Sequence, residues 1–233
     1  MEPLIDFVAN LGLFVVGLAL RALAFATILA VLAIPILLVL GGVEGFARLR
    51  RRLLGVTRVG TMSWRPGLYY APGHTWVLPR GRAVTIGLDD LAQRLLPGLA
   101  RIRLPQPGTV VRRGEPVSTV KADGQETWIP SPVSGTVTAV NAAVGRDPSI
   151  VHRDPYVRGW LFRVAPADDA HETLPREESA RRWFASEAMR LQRMLEHELG
   201  YAAADGGELI LPAHELVGSG RWREVADSFL HAS

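Results

Sequence analysis

Ala83-Val84-Thr85-Ile86-Gly87 is one of three short stretches, rich in Val, Ile and Thr, that decide the fold. The other two are Thr109-Val110-Val111 and Thr136-Val137-Thr138-Ala139-Val140, and Gly and Pro punctuate the chain between them. Short β-branched stretches at this spacing are typical of an all-β sandwich or barrel, which we expect over residues 61–168. The Asp89-Asp90 pair is a helix-capping signal, so one short helix is predicted to begin there.

Two longer motifs surround the first of these strands. Tyr70-Ala71-Pro72-Gly73-His74-Thr75-Trp76-Val77 precedes it, and Ile86-Gly87-Leu88-Asp89-Asp90-Leu91-Ala92-Gln93 begins within it. Further motifs follow in order: Leu104-Pro105, Gly108, Gly114-Glu115-Pro116, Ser131-Pro132-Val133-Ser134-Gly135, Val140-Asn141, Asp154-Pro155-Tyr156 and Gly159-Trp160. The series resembles the glycine cleavage system H protein from about Leu68 to Asp168. The resemblance implies a lipoyl-domain-like fold, a flattened β-sandwich whose hairpin carries, in that family, a lipoylated lysine as a swinging arm.

The resemblance places Gly124 where the family has its lipoyl-lysine. The family's spacing from Gly114-Glu115-Pro116 to Ser131-Pro132-Val133-Ser134-Gly135 is reproduced here without a gap. Asp123-Gly124 is also a strong signal for a two-residue hairpin turn, whose backbone needs positive φ. We therefore expect a hairpin tip that lacks the attachment residue, and no cofactor.

Lys121 is the single lysine of the chain and so the one alternative attachment point. Val120-Lys121-Ala122 imitates the family's Val-Lys-Ala. Using Lys121 requires a shift of three residues in one arm of the hairpin, and an odd shift exchanges the two faces of a strand. We predict that Lys121 lies on the strand flank as a solvated edge charge. A lipoyl carrier that uses Lys121 is the alternative hypothesis.

Other departures from the family pattern fall around the same hairpin. Thr75 replaces the glutamate after the family's histidine, and Lys121 replaces the acidic residue that usually precedes the lipoyl-lysine by three. Trp128 replaces an aspartate on the returning strand, where it either binds a partner or packs under its own hairpin. The predicted partner-binding residues are Asp123, Gly124 and Trp128.

Residues 22–43 form an uncharged, strongly apolar run. At a rise of about 1.5 Å per residue, a helix of this length reaches roughly 33 Å, enough to cross a bilayer. We predict a transmembrane helix here, within a membrane anchor of residues 1–60, and a linker near Gly55 to Gly67. A signal peptide is disfavoured because Glu2 and Asp6 precede an apolar run that is too long for one.

A basic cluster follows the predicted span. Arg48, Arg50, Arg51 and Arg52 lie after it, and Arg21 alone lies before it. The positive-inside rule then predicts a single span of the inner, cytoplasmic membrane, with the N-terminus outside and the C-terminal domain in the cytoplasm. The cluster is predicted to contact anionic lipids. Nucleic-acid binding is disfavoured because no set of stacking aromatic residues accompanies the cluster.

Residues 169–233 are predicted to be a helical extension. Apolar residues recur near helical spacing from Pro175 to Leu199, which predicts a long amphipathic helix, and Trp222 to Leu230 predicts a short final helix. Glu208 to Leu211 predicts a short strand. The apolar stripe of the long helix packs either on the β domain or on another subunit, and we expect the first.

The composition excludes several kinds of chemistry. The chain has no cysteine, which removes disulfides, thiolate metal sites and cysteine nucleophiles. Its six histidines show no metal-ligand spacing, and no nucleophile-elbow, phosphate-loop or dinucleotide motif occurs. We expect no enzyme activity and no metal.

These patterns together indicate an α+β protein: a transmembrane helix, an H-protein-like β-sandwich and a helical C-terminal extension. The predicted function is a non-catalytic, membrane-anchored subunit whose β domain docks onto a larger membrane complex, respiratory or photosynthetic. The predicted partners are other subunits of that complex and membrane lipids, and not nucleic acid.

Overall fold

The computed structural model describes residues 17–18, 20–25, 27, 32, 57–59, 62–199 and 219–231. The chain forms two compact units, Met1–Leu54 and Gly55–Ser233. In the first unit the described residues are helical and mostly exposed, and the Thr27 hydroxyl donates a 2.7 Å hydrogen bond to the Leu23 carbonyl oxygen.

Most of the predicted membrane anchor falls outside the described residues. This holds for most of the predicted span, 22–43, and for all of Arg48, Arg50, Arg51 and Arg52. No helix within the described ranges combines the length and apolar character that a membrane crossing requires. The span, its orientation and the basic membrane-surface cluster therefore stay predictions.

The second unit is built on antiparallel β-sheets. Its strands are β1 Thr57–Val59, β2 Met62–Trp64, β3 Tyr69–Ala71, β4 Thr75–Arg80, β5 Ala83–Leu88, β6 Leu99–Arg103, β7 Val110–Val111, β8 Pro116–Ala122, β9 Gln125–Pro130, β10 Gly135–Val140 and β11 Trp160–Pro166. A six-stranded sheet has the order β3-β4-β5-β11-β10-β7, and a three-stranded sheet has the order β6-β8-β9. The three stretches that predicted strands form β5, β7 and β10, and the predicted β-sandwich is confirmed.

One hydrophobic core is shared by both larger sheets and by the helices. Its largest fully buried side chains include Tyr70, Trp76 and Phe162 from the six-stranded sheet and Ile129 from the three-stranded one. Burying a large apolar side chain of this kind stabilises a fold by about 1.5–3 kcal/mol. The core therefore holds the hairpin β8–β9 firmly against the rest of the domain.

The linker predicted near Gly55 to Gly67 is wrong. Strands β1 and β2 pair there as a small hairpin, and Met62 and Trp64 are buried in the core. The Tyr156 hydroxyl donates a 2.6 Å hydrogen bond to the Ser63 carbonyl oxygen, which fixes β2 in place. Three-residue strands are too short to show the alternation from which a strand is predicted.

Helices cover this β framework. They are α1 Asp90–Leu95, α2 Ala142–Arg146, α3 Ser149–Arg153, α4 Glu177–Leu199 and α5 Ser219–Leu230, with a 3-10 turn at Ala170–Thr173. Asp89 caps α1 as predicted, because its Oδ1 accepts hydrogen bonds from the amides of Leu91 and Ala92, each 2.9 Å long.

The C-terminal helices pack on their own β domain. Helix α4 runs beside β1, β2 and β3 and buries Phe184 and Leu191, whereas α5 packs on α1 and β9. Both predicted helices are confirmed, and the extension belongs to the same compact unit as the sheets. The strand predicted from Glu208 to Leu211 lies outside the described residues.

Candidate functional site

The hairpin between β8 and β9 ends in a two-residue turn. Ala122 pairs with Gln125, which leaves Asp123 and Gly124 as the loop. Their φ angles are +47° and +77°. Positive φ at both central residues is the type I′ geometry that matches the twist of paired strands. The predicted tip is thus confirmed, with glycine and not lysine at its second position.

Nothing crowds Gly124 at this tip. A Cβ added to it would meet no heavy atom within 4 Å. The positive φ, and not lack of space, therefore favours glycine here, since residues with a Cβ rarely adopt that conformation.

Lys121 lies on the flank of the hairpin, as predicted. It is exposed, and it sits between Arg101 on β6 and Glu126 on β9 in the cross-strand register. Arg103 follows on the same face of β6, and its guanidinium lies 3.8 Å from the Glu126 carboxylate. The sequence analysis missed Arg101 and Arg103. Their alternation around the buried Ile102 was the available signal, because positions i and i+2 of a strand share a face.

Trp128 is half-buried and contacts the last helix. Its ring stacks on the imidazole of His231, with 3.7 Å between the centroids and 5° between the planes. The His231 Nε2 donates to the Trp128 carbonyl oxygen at 3.2 Å. One step earlier on β9, the Thr127 hydroxyl donates a 2.7 Å hydrogen bond to Asp227. Its own chain therefore covers one face of Trp128, and partner binding by Asp123, Gly124 and Trp128 stays a prediction.

A second cluster of ionisable groups is buried at the opening motif. The His74 Nδ1 lies 2.9 Å from the Asp89 carboxylate, and the His74 Nε2 lies 3.7 Å from the Glu187 carboxylate. The 3.7 Å between the His74 Nε2 and the Glu187 carboxylate is longer than a hydrogen bond, so Glu187 acts on the imidazole through its charge alone. The ring also stacks on Trp183, at a centroid distance of 5.0 Å.

The charges around His74 decide its protonation. Burial by itself lowers the pKa of His74, but the neighbouring carboxylates of Asp89 and Glu187 outweigh it and raise that pKa to about 9. His74 is therefore a buried cation at neutral pH, held between the turn before β4, the cap of α1 and helix α4. This cluster connects three elements of the fold. Because His74 is fully buried, the imidazole offers no exposed position to which a substrate could bind.

Outside these two clusters, the described residues bring few reactive side chains together. The described part of the chain contains no group of three or more His, Cys, Asp or Glu residues placed to hold a metal ion. A small apolar groove runs beside the hairpin, between the end of α1 and helix α5, with Leu95, Leu96, Ala122, Trp222 and Ala226 in its walls. Helix α5 itself forms one of those walls.

Comparison with known proteins assigns the β domain to a family. The family model described as glycine cleavage H-protein matches residues 68–187, just over half of the chain. The chain belongs to the glycine cleavage H-protein family. The match contains His74, Asp89, the hairpin and Trp128, and it ends inside α4, so α5 lies outside it.

Individual glycine cleavage system H proteins are similar to part of this chain. The glycine cleavage system H protein of Thermus thermophilus is 39% identical over 111 residues, which cover 47% of this chain and 87% of the relative. That of Rubrobacter xylanophilus is 39% identical over 115 residues, which cover 49% of this chain and 90% of the relative. A crystal structure of the Mycobacterium marinum protein is 29% identical and covers 45% of this chain and 87% of its own, with a TM-score of 0.42.

Proposed function

We propose that this H-protein-family chain is a non-catalytic, membrane-anchored subunit that carries no lipoyl group and docks its β domain onto a larger membrane complex. In this proposal residues 22–43 cross the inner membrane, the N-terminus is outside, and Arg48, Arg50, Arg51 and Arg52 contact anionic lipids. The complex would be a bioenergetic one, respiratory or photosynthetic. Its other subunits and the surrounding lipids are the partners.

The hairpin tip is the observation that carries the proposal. The resemblance places the family's attachment site at Gly124, and Gly124 has a φ of +77° in a tight turn with Asp123. A glycine offers no amine to which lipoate could be attached. The carrier framework is thus retained while the group that would bear the arm is missing.

Helix α5 supports the same interpretation, that the hairpin does not bear a mobile lipoyl arm. It lies outside the family match and packs along β9 through the Thr127–Asp227 hydrogen bond and the Trp128–His231 stack. A helix fixed beside the hairpin narrows the access to its tip. Such a helix suits a permanent contact better than a mobile arm.

Partner retention tests the docking role. The full chain is purified from its native membranes in a mild detergent and run on a native gel. We expect it to migrate within a large assembly with partner subunits in fixed ratio. A monomer without co-migrating partners would contradict the proposal. Protease accessibility in sealed vesicles tests the orientation, with the β domain expected on the cytoplasmic side.

A membrane-tethered lipoyl carrier that uses Lys121 is the second candidate function. The favouring observation is that Lys121 is exposed on β8, three residues before Gly124. The relatives named above are glycine cleavage system H proteins. Against it, the side chain projects from the strand face between Arg101 and Glu126, away from the turn.

Substitution of Lys121 separates the two functions. Under the carrier hypothesis, Lys121→Arg abolishes a lipoyl adduct and any activity that depends on it. Under the proposed function, the wild type carries no adduct, and Lys121→Arg leaves its migration in the native gel unchanged because the charge is retained.

A further inference from the structure

The outer face of the three-stranded sheet carries a compact basic patch. Arg101 and Arg103 on β6 and Lys121 on β8 are all exposed, and with Thr119 and Glu126 they line one shallow depression. We call these five residues the sheet patch. Three positive charges against one negative charge give it a net charge of +2 at neutral pH.

The strand register of the sheet patch brings like charges together. Arg101 on β6 is directly opposite Lys121 on β8. Like charges in directly opposed positions of adjacent strands destabilise a sheet. Glu126, the cross-strand neighbour of Lys121 on β9, lies 3.8 Å from the Arg103 guanidinium, and neither Arg101 nor Lys121 makes an ion pair within the described ranges. One carboxylate therefore stands against three cations, and the sheet patch keeps an excess of positive charge that an anion would stabilise.

We propose that the sheet patch binds an extended acidic segment of a partner protein, with carboxylates at alternating positions. This inference deepens the proposed docking function and rests on it. Alternate residues of an extended chain are about 6.6 Å apart on one face. Arg101 and Arg103 have the same i, i+2 spacing on β6, so two alternating carboxylates of the partner match two guanidinium groups. A guanidinium can grip each carboxylate through two parallel hydrogen bonds.

A protein segment fits this surface better than a bilayer does. Glu126 lies within the sheet patch and would be repelled by anionic headgroups, whereas a peptide can place a neutral or basic residue opposite it. Membrane-surface binding also uses apolar side chains that insert between lipids. The large apolar neighbour of the sheet patch, Trp128, stacks on His231 instead.

The single lysine of the chain provides a direct readout. An amine-reactive acetylating reagent modifies Lys121 and the N-terminal amine, so mass spectrometry of the proteolytic peptide that contains Lys121 reports the exposure of the sheet patch alone. The full chain is placed in nanodiscs of phosphatidylcholine, and the rate of Lys121 acetylation is measured with and without a peptide of alternating Glu and Ser. A peptide of alternating Gln and Ser is the uncharged control.

We expect the Glu-Ser peptide to slow acetylation about threefold or more, since its carboxylates would form exposed ion pairs over the Lys121 amine. The Gln-Ser peptide should have no effect. Arg101→Gln/Arg103→Gln should remove the protection without lowering the melting temperature, because loss of the exposed Arg103–Glu126 pair is offset by relief of the repulsion between Arg101 and Lys121. Arg112→Gln/Arg113→Gln, which changes two exposed arginines near β7 and outside the three-stranded sheet, should retain it.

Three results would overturn the inference. They are no protection by the Glu-Ser peptide, equal protection in the Arg101→Gln/Arg103→Gln variant, and protection produced by phosphatidylserine nanodiscs without any peptide. The last would assign the sheet patch to lipid. A lipoyl adduct found on Lys121 at the start would contradict the proposed function itself. Loss of peptide binding alone would leave the chain a docking subunit that uses another surface.

Discussion

His74 and Asp89 show how one buried ion pair joins three parts of the fold. The His74 side chain belongs to the turn before β4, Asp89 caps α1, and Glu187 approaches from α4. His74 itself has a φ of +53°, which few residues with a side chain adopt. Such a conformation persists only where the surroundings hold it. The pair therefore fixes the position of the turn, the cap and the covering helix relative to each other.

Removing the charge of Asp89 should cost more stability than removing a similar surface charge. In Asp89→Asn the amide can still cap α1, but the buried imidazolium loses its partner, and we expect a loss of about 3 kcal/mol. Chemical denaturation of the full chain in detergent measures it. Asp147→Asn is the matched control, because the Asp147–Arg153 pair is exposed and should change stability far less. Equal losses in the two variants would contradict a strong buried pair.

The pKa of His74 predicts how stability depends on pH. That pKa is raised from 6.5 to about 9 by Asp89 and Glu187 against the opposing effect of burial. A raised pKa in the folded state gives stability that is complete below pH 6.5 and is lost as the pH rises through 9. We expect the wild type to lose up to about 3 kcal/mol between these values.

Denaturation at pH 6 and at pH 9.5 tests this dependence. His74→Asn removes the titrating group and keeps a residue that tolerates positive φ. This variant should lack the pH-dependent loss. A loss of the same size in His74→Asn would assign the dependence to another group.

At the scale of elements, the hairpin β8–β9 and helix α5 pack together as one structural unit. The turn at Asp123 and Gly124 gives the hairpin its tip, and α5 holds its returning strand through Asp227 and His231. Trp222, near the start of α5, donates its indole N–H to the Leu95 carbonyl oxygen at the end of α1, at 3.1 Å. The helix therefore ties the hairpin to α1 across the apolar groove.

Gly124→Ala tests the turn. The φ of +77° is unfavourable for alanine, and we expect a loss of about 1 kcal/mol although nothing crowds the site. Gly145→Ala is the control, because Gly145 lies in α2 without a positive φ and alanine should be neutral or stabilising there. Thermal unfolding of both variants gives the comparison. Stabilisation by Gly124→Ala would contradict the positive-φ turn.

Trp222→Ala tests the attachment of α5. Trp222 is buried and hydrogen-bonded, so its truncation should cost about 3–5 kcal/mol. Hydrogen exchange should then accelerate in β9 and α1, the two elements that α5 contacts. Glu224→Ala, an exposed change on the same helix, should stay within about 0.5 kcal/mol of the wild type. Unchanged exchange in β9 after Trp222→Ala would show that α5 does not hold the hairpin.

The sequence predicts local features well and contacts between distant elements poorly. Asp123-Gly124 predicts the turn because the required φ angles depend on those two residues alone. The Trp128–His231 stack joins residues more than a hundred positions apart, and neither residue carries a signal for the other. The β1–β2 hairpin was missed for a different reason. Its strands are held by packing of Met62 and Trp64 rather than by a pattern of their own.

At the scale of the whole molecule, the chain adds segments at both ends to a family domain. The match covers residues 68–187, preceded by the apolar N-terminal segment and followed by α5. The family's carrier framework occupies the middle, with glycine at the tip of its hairpin. We predict that this framework bears no lipoyl group and serves as a docking surface.

The intact mass of the protein purified from its native membranes tests that claim most directly. The account predicts the mass of the unmodified chain, with no added lipoyl group on Lys121, the only lysine available. Proteolysis and tandem mass spectrometry of the β8–β9 peptide locate any adduct. A chain heavier by one lipoyl group, with that group on Lys121, would contradict the account and make this protein a carrier.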